Sequence, residues 1–143
     1  MARVLILCTG NSARSQMAEG LLRAKGTGRF VAESAGTKPG IVRPEAITVM
    51  DEVGIDLRSH RSKHVDEVAG QHFDVVITVC DYARDVCPIY PAETKTLHWR
   101  FEDPAAVEGN EEVRLAAFRM IRDQLSKRFD DWLSQTSPLR SGQ

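Results

Sequence analysis

Residues 8–14, Cys-Thr-Gly-Asn-Ser-Ala-Arg, set a thiol and a guanidinium six positions apart with a Gly-Asn pair between them. The apolar run Val4-Leu5-Ile6-Leu7 precedes them, and Met17, Ala18, Leu21, Leu22 and Ala24 follow at helical spacing. A loop between a strand and a helix directs main-chain N–H groups into its bowl. The first N–H groups of the helix lack internal partners, and the helix dipole adds positive potential. Such a loop binds anions. Gly10 and Asn11 are the residue types that best tolerate left-handed backbone, which a tight cradle needs. Arg14 adds a planar fork of donors suited to two oxygens of a tetrahedral oxyanion. The expected oxyanion set is therefore Thr9, Gly10, Asn11, Ser12, Ala13, Arg14 and Ser15. The same potential should draw the Cys8 thiol below its ordinary pKa and make it a thiolate nucleophile. Ser12 and Ser15 can donate to the sulfur or to the loop. The Gly-Lys-Ser/Thr ending of a nucleotide loop is missing, and no dinucleotide fingerprint is present. The Cys-x5-Arg-Ser spacing alone also fits a merely buried cysteine. Its placement between strand and helix favours the nucleophile.

Three further residues could complete a reaction. Asp103 stands before Pro104 in a polar stretch, and a carboxylic acid near the bowl could protonate a leaving oxygen. Asp-Pro by itself is a turn signature, and Glu102 is a neighbouring candidate. Cys80 and Cys87 are seven positions apart. On a helix that offset is an axial rise of about 10.5 Å, whereas a disulfide needs Cα atoms within about 7 Å. The segment must then be looped, or unwind, to join them. Without such a bridge, Cys80 is a strand-end residue and Cys87 a surface thiol.

These residues need elements to hold them. The run 3–8 reads as a strand buried on both faces, and the helix after Ala13 stops at Gly26 and Gly28. A second strand is expected at 30–34. A helix opens at Pro44, with Ala46, Ile47, Val49, Met50 and Val53 on one face and Gly54 as its cap. Residues 58–64 read as loop, 65–69 as a helical turn, 73–80 as the strongest strand and 94–99 as the last. A long amphipathic helix over 111–133 buries Val113, Ala117, Met120, Ile121, Leu125, Phe129 and Trp132. Residues 136–143 are expected to be a disordered tail, leaving one catalytic domain over 1–135. Alternating strands and helices make an α/β fold with a mainly parallel sheet, whose ligands bind at the carboxyl ends of the strands. Cys8, the end of the 73–80 strand and the loop after Trp99 all belong to that edge.

The 143 residues carry a formal net charge of −1, so no global field draws the chain to nucleic acid or membrane. The absence of a long apolar run points to the cytoplasm, where thiols stay reduced. Three cysteines, an odd number, argue against a disulfide framework. His60 and His64 have the offset of two ligands on a helix, but they lie in a loop without a third ligand. Polar or capping roles are expected, and no metal or cofactor. Trp99, Trp132 and the helix methionines read as core, Tyr82 and Tyr90 as packing, and Arg23, Lys25 and Arg29 as solvated.

The segment from Cys8 to Gly20 resembles the active-site segment of arsenate reductases in the low-molecular-weight protein tyrosine phosphatase superfamily. The resemblance continues through Glu33-Ser-Ala-Gly-Thr37, Phe73 to Cys87 and His98-Trp-Arg-Phe-Glu-Asp-Pro104. It implies a four-stranded parallel sheet with helices on both faces. Cys8 and Arg14 match the family's catalytic cysteine and arginine, and Asp103 its general acid. Cys80 and Cys87 match the downstream pair of thioredoxin-coupled reductases, in which a relay passes from Cys8 to Cys80 to Cys87. Arsenate would be the substrate, phosphate or sulfate could occupy the same site, and thioredoxin would reduce a monomeric enzyme. In some members Asn, Glu, Ser and Asp side chains bind potassium. Three match Asn11, Glu19 and Ser34, but the fourth falls on Lys63, so no potassium dependence is expected. Two other readings remain at this point: a phosphatase using Cys8 as a phosphocysteine, and a non-catalytic module that binds an anion or a protein.

Overall fold

The computed structural model describes residues 1–79 and 90–135. Cys80, Tyr82, Cys87 and the tail expected at 136–143 lie outside the described residues. The elements run β1 Ala2–Cys8, α1 Arg14–Lys25, β2 Phe30–Gly36, α2 Pro44–Asp51, a 3-10 turn Val65–Val68, β3 Val75–Thr78, β4 Lys95–His98, a 3-10 turn Pro104–Ala106 and α3 Glu111–Gln135.

All four strands are parallel, in the order β2-β1-β3-β4. The two central strands are the ones whose sequence is continuously apolar. Val4, Leu5, Ile6, Val76 and Ile77 have no solvent exposure, as expected of strands covered on both faces. β4 is an edge strand, and Lys95, Thr96 and His98 are exposed along it. Lysine and other polar groups on an edge discourage pairing with another chain.

β2 runs two residues beyond the expected Ser34, because its pairing with β1 continues to Cys8↔Gly36. Gly36 is obligatory there. A Cβ on it would lie 2.5 Å from the carbonyl oxygen of Thr9 and 2.9 Å from both the Cys8 carbonyl oxygen and the Asn11 nitrogen. The loop after β1 is thus pressed onto the end of β2. Gly36→Ala must push the loop away, and it is expected to cost about 1–3 kcal/mol and to weaken phosphate binding. Thermal melting and calorimetric titration of phosphate check this; an unchanged melting temperature with unchanged affinity would refute the close approach.

α1, α2 and α3 contact one another. Gly26 caps α1, its N–H bonding the Leu22 carbonyl at 2.7 Å. α2 ends at Asp51, so Val53 lies past the helix and is 48% exposed rather than on its buried face. Gly54 takes its positive φ of 81° in the turn that follows. The buried stripe of α3 is Phe118, Ile121, Leu125, Phe129, Trp132 and Leu133. Val113 and Met120, expected on that stripe, are exposed, and Ala117 is half-buried. The stripe advances by three or four residues from Phe118, and neither Val113 nor Met120 falls on it.

The expected solvated cations also find partners. Arg23 pairs with Glu19 at 2.7 Å, Lys25 with Asp130 at 2.8 Å, and Arg29 stacks over Phe30. Trp99 packs edge-on against Phe129 at 5.1 Å and against Trp132 at 6.0 Å. This aromatic cluster anchors the start of the segment that carries Asp103 onto α3. Tyr90 is half-buried against the core.

Candidate active site

The loop between β1 and α1 begins at Cys8, which is a buried thiol, 3% exposed. Among the loop residues only Asn11 is left-handed, at φ 48°; Gly10 does not take a positive φ. The asparagine suffices because its side chain holds the turn in place. Asn11 Nδ2 donates to Ser15 Oγ at 2.8 Å, and Asn11 Oδ1 accepts from the Lys63 N–H at 2.9 Å. Ser15 therefore serves the loop.

Four successive loop carbonyls, those of residues 9–12, are held by donors outside the loop. The Thr9 carbonyl accepts from the Lys38 N–H at 2.8 Å, and that of Ser12 from the Arg43 N–H at 2.8 Å. The Gly10 carbonyl accepts from Ser62 Oγ at 3.0 Å and the Gly40 N–H at 3.3 Å. The Asn11 carbonyl accepts from Gln16 Nε2 at 3.1 Å. With the carbonyls turned outward, successive N–H groups turn inward, the arrangement of an anion nest. The N–H groups of Gly10, Asn11, Ser12 and Ala13 donate to no described residue. α1 starts on Ala13 without a side-chain cap, so its first turn also opens toward the bowl.

Arg14 closes the constellation. Its Nη1 donates to the Phe101 carbonyl at 2.9 Å, and Nη2 stands 3.7 Å from Asp103 Oδ2. Its Nε is buried and has no hydrogen-bond partner among the described residues. One edge of the guanidinium is therefore fixed to the protein, and a buried donor is left for a ligand; such a donor is costly unless something fills it. Asp103 is the N-cap of the turn at 104–106, its Oδ1 accepting from the Ala105 N–H at 2.9 Å. Its side chain is 44% exposed. Glu102 is exposed and has no ion pair or hydrogen bond with a described residue. The geometry thus brings Cys8, Arg14 and Asp103 to one edge of the sheet, and can hold a tetrahedral anion above a thiol beside a carboxyl group. β3 ends at the same edge: Val79 donates to the Leu7 carbonyl at 3.0 Å. Cys80 and Cys87 follow, outside the described residues.

The low molecular weight phosphotyrosine protein phosphatase family matches residues 3–140. The chain belongs to that family. It is 42% identical to an arsenate reductase of Halalkalibacterium halodurans over 125 residues, 87% of this chain and 90% of that one. Among solved structures it is similar to an arsenate reductase in the phosphate binding state, with a TM-score of 0.76, 33% identity, and coverage of 96% of this chain and 100% of the other. It is also similar to the low molecular weight protein tyrosine phosphatase of T. tengcongensis, with a TM-score of 0.79, 28% identity, and coverage of 94% and 99%. The four-stranded parallel sheet with helices is the fold of this phosphatase family.

Behind the loop of this phosphatase-family chain lies a buried polar cluster. Glu19, 5% exposed at its side chain, accepts from Ser34 Oγ and pairs with Arg23. Lys63 directs its Nζ to Glu33 at 3.8 Å, while its main-chain N–H holds Asn11. The side-chain oxygens of Asn11 and Glu19 therefore already accept from protein donors. His64 caps the turn at 65–68, its Nδ1 accepting from the Asp66 N–H. His60 Nδ1 lies 3.0 Å from Gln16 Oε1 and 3.9 Å from Glu19 Oε2. Burial pushes the His60 imidazole below its ordinary pKa, against the opposing pull of Glu19. Sequence reading missed the clamps at Lys38, Gly40, Arg43, Ser62 and Gln16. Only Gln16 carried a signal: it is the third residue of α1, where a glutamine commonly reaches back past the helix start.

Proposed function

We propose that this chain reduces arsenate to arsenite. The observation that carries the reading is the buried Arg14 Nε, which has no partner among the described residues, on the loop that begins at the buried Cys8 thiol. An oxyanion supplies what that donor lacks. The arsenate reductases similar to this chain over nearly its whole length support arsenate as that oxyanion.

The chemistry is a thiol relay. Cys8 thiolate attacks the arsenic of arsenate, and one oxygen leaves as water, protonated by Asp103. Arg14 and the loop N–H groups stabilise the charge on the remaining oxygens. Cys80 thiolate then attacks the Cys8 sulfur. The S–As bond breaks, and its electron pair stays on arsenic, which departs as arsenite. Cys87 attacks Cys80 and releases Cys8 as thiolate. Two thiols have become one Cys80–Cys87 disulfide, and two electrons have reached arsenic. Thioredoxin returns the disulfide to the dithiol by exchange. The enzyme acts as a monomeric cytoplasmic domain over 1–135 and needs no cofactor.

A second reading, hydrolysis of phosphate esters through a Cys8 phosphocysteine, is favoured by the similarity to the T. tengcongensis phosphatase. Arsenate with thioredoxin, thioredoxin reductase and NADPH tests the first reading, and an aryl phosphate tests the second. Steady arsenate-dependent NADPH oxidation that needs Cys80 and Cys87 supports reduction. Fast ester hydrolysis indifferent to both, with no arsenate turnover, would replace it.

Two outcomes follow for the site. Arg14→Lys keeps the charge but loses the planar fork. It is expected to lower kcat/KM for arsenate by about 10²–10³; steady-state kinetics with less than a threefold change would remove Arg14 from the oxyanion grip. With Lys63 beside Asn11, reduction should run equally fast in potassium and sodium chloride of equal ionic strength. A clear preference for potassium would overturn the reading of Lys63.

A further inference from the structure

Gln16 has no solvent exposure and sits one turn into α1 behind the loop. Its Nε2 lies 3.1 Å from the Asn11 carbonyl oxygen, 3.1 Å from Asn11 Oδ1 and 3.2 Å from the Arg61 carbonyl oxygen. An amide nitrogen has two hydrogens, so three acceptors share them. Its Oε1 accepts from His60 Nδ1 at 3.0 Å. That bond sets which end of the amide faces the loop. If the amide turned over, its oxygen would meet three acceptor oxygens, and the His60 donor would meet an NH₂ group. An amide oxygen can only accept, so this contact requires a hydrogen on His60 Nδ1, while burial pushes the imidazole below its ordinary pKa.

We propose that Gln16 is a positioning residue that sets the nucleophile's environment, and that His60 orients it. Gln16 grips both the main-chain and the side-chain oxygen of Asn11, the one left-handed residue of the loop. A rotation of the Asn11 peptide would swing its carbonyl into the bowl and move an N–H out of it. Gln16 opposes that rotation from inside the helix whose first turn faces the anion. It touches no reacting atom. It acts through Asn11 on the N–H groups that stabilise both the Cys8 thiolate and the bound oxyanion. The inference rests on the oxyanion-loop reading above.

The test uses the full chain with Cys80→Ser and Cys87→Ser, so that Cys8 is the sole thiol. Thiolate absorbance at 240 nm against pH gives the Cys8 midpoint, and calorimetry gives the affinity for inorganic phosphate. In this background Gln16→Met, an apolar side chain of similar length, should raise the midpoint by about one pH unit and weaken phosphate about tenfold. A residue that only fills space would move the melting temperature and leave both readouts alone. A folded Gln16→Met protein with an unchanged midpoint and unchanged phosphate affinity overturns the proposal. If Gln16→Met does not fold, His60 decides. His60→Leu should raise the midpoint, whereas His60→Asn, whose Nδ2 donor is as many bonds from the main chain as histidine Nδ1, should restore it. Equal midpoints for these two variants overturn the proposal. Failure of the parent protein to bind phosphate would instead count against the oxyanion-loop reading itself.

Discussion

Cys8→Ser is expected to lower arsenate reduction by at least about 10⁴-fold while leaving the fold and phosphate binding intact. The change replaces one buried sulfur, 3% exposed, by a smaller oxygen, so packing changes little. The loop N–H groups and Arg14 are untouched, and they hold the anion. What is lost is chemistry. A serine hydroxyl stays protonated at neutral pH where a thiol in a positive bowl ionises. Its oxygen also cannot pass an electron pair to arsenic by forming a disulfide. Arsenate-dependent NADPH oxidation in the thioredoxin-coupled assay checks activity, and calorimetric phosphate titration checks the loop. Reduction above about one per cent of the parent rate would remove Cys8 from the reaction. Loss of phosphate binding would mean that the substitution damaged the loop.

Cys87→Ser is expected to release about one arsenite per enzyme and then stop. The first two steps need only Cys8 and Cys80. Without Cys87 the Cys8–Cys80 disulfide has no internal thiol to displace it, so the nucleophile stays blocked. A rapid burst measured as arsenite per active site, followed by no steady rate, is the signature. Adding a small dithiol reductant should restart turnover. Sustained thioredoxin-driven turnover in this variant would end the relay. Cys80→Ser should lack even the burst, because no Cys80 thiolate then attacks the Cys8 sulfur to leave the S–As electron pair on arsenic. The pair separates this reading from ester hydrolysis, which uses Cys8 alone and would be indifferent to both changes.

Much of the frame was legible in the sequence. The central strands β1 and β3 were visible because a strand covered on both faces must be apolar throughout, and the chain shows two such runs. The helix starting at Pro44 was visible from chemistry local to one segment. The edges were less clear. β2 extends to Gly36 because β1 pairs with it, not because of its own residues. On α3, Val113 and Met120 turned out exposed, because a helix of 25 residues offers more than one apolar stripe and only the neighbouring helices choose among them. Arg23 is the exposed cation its sequence suggests, 50% exposed at its side chain, and its partner Glu19 lies one turn back on the same helix.

The loop at residues 8–14 divides in the same way. Its residue types, by themselves, determined that a thiol and a guanidinium flank a strand-to-helix turn able to take an anion, because that logic depends on neighbours in the chain. Tertiary structure alone decided how the turn is held. The Thr9, Gly10 and Ser12 carbonyls are turned outward by Lys38, Gly40, Arg43 and Ser62, and Asn11 by Lys63 and Gln16. It also decided that Asp103, rather than Glu102, stands 3.7 Å from Arg14. Apart from Gln16, those partners lie more than twenty residues away along the chain. No spacing rule connects them, because only the folded sheet and its crossovers bring them into reach.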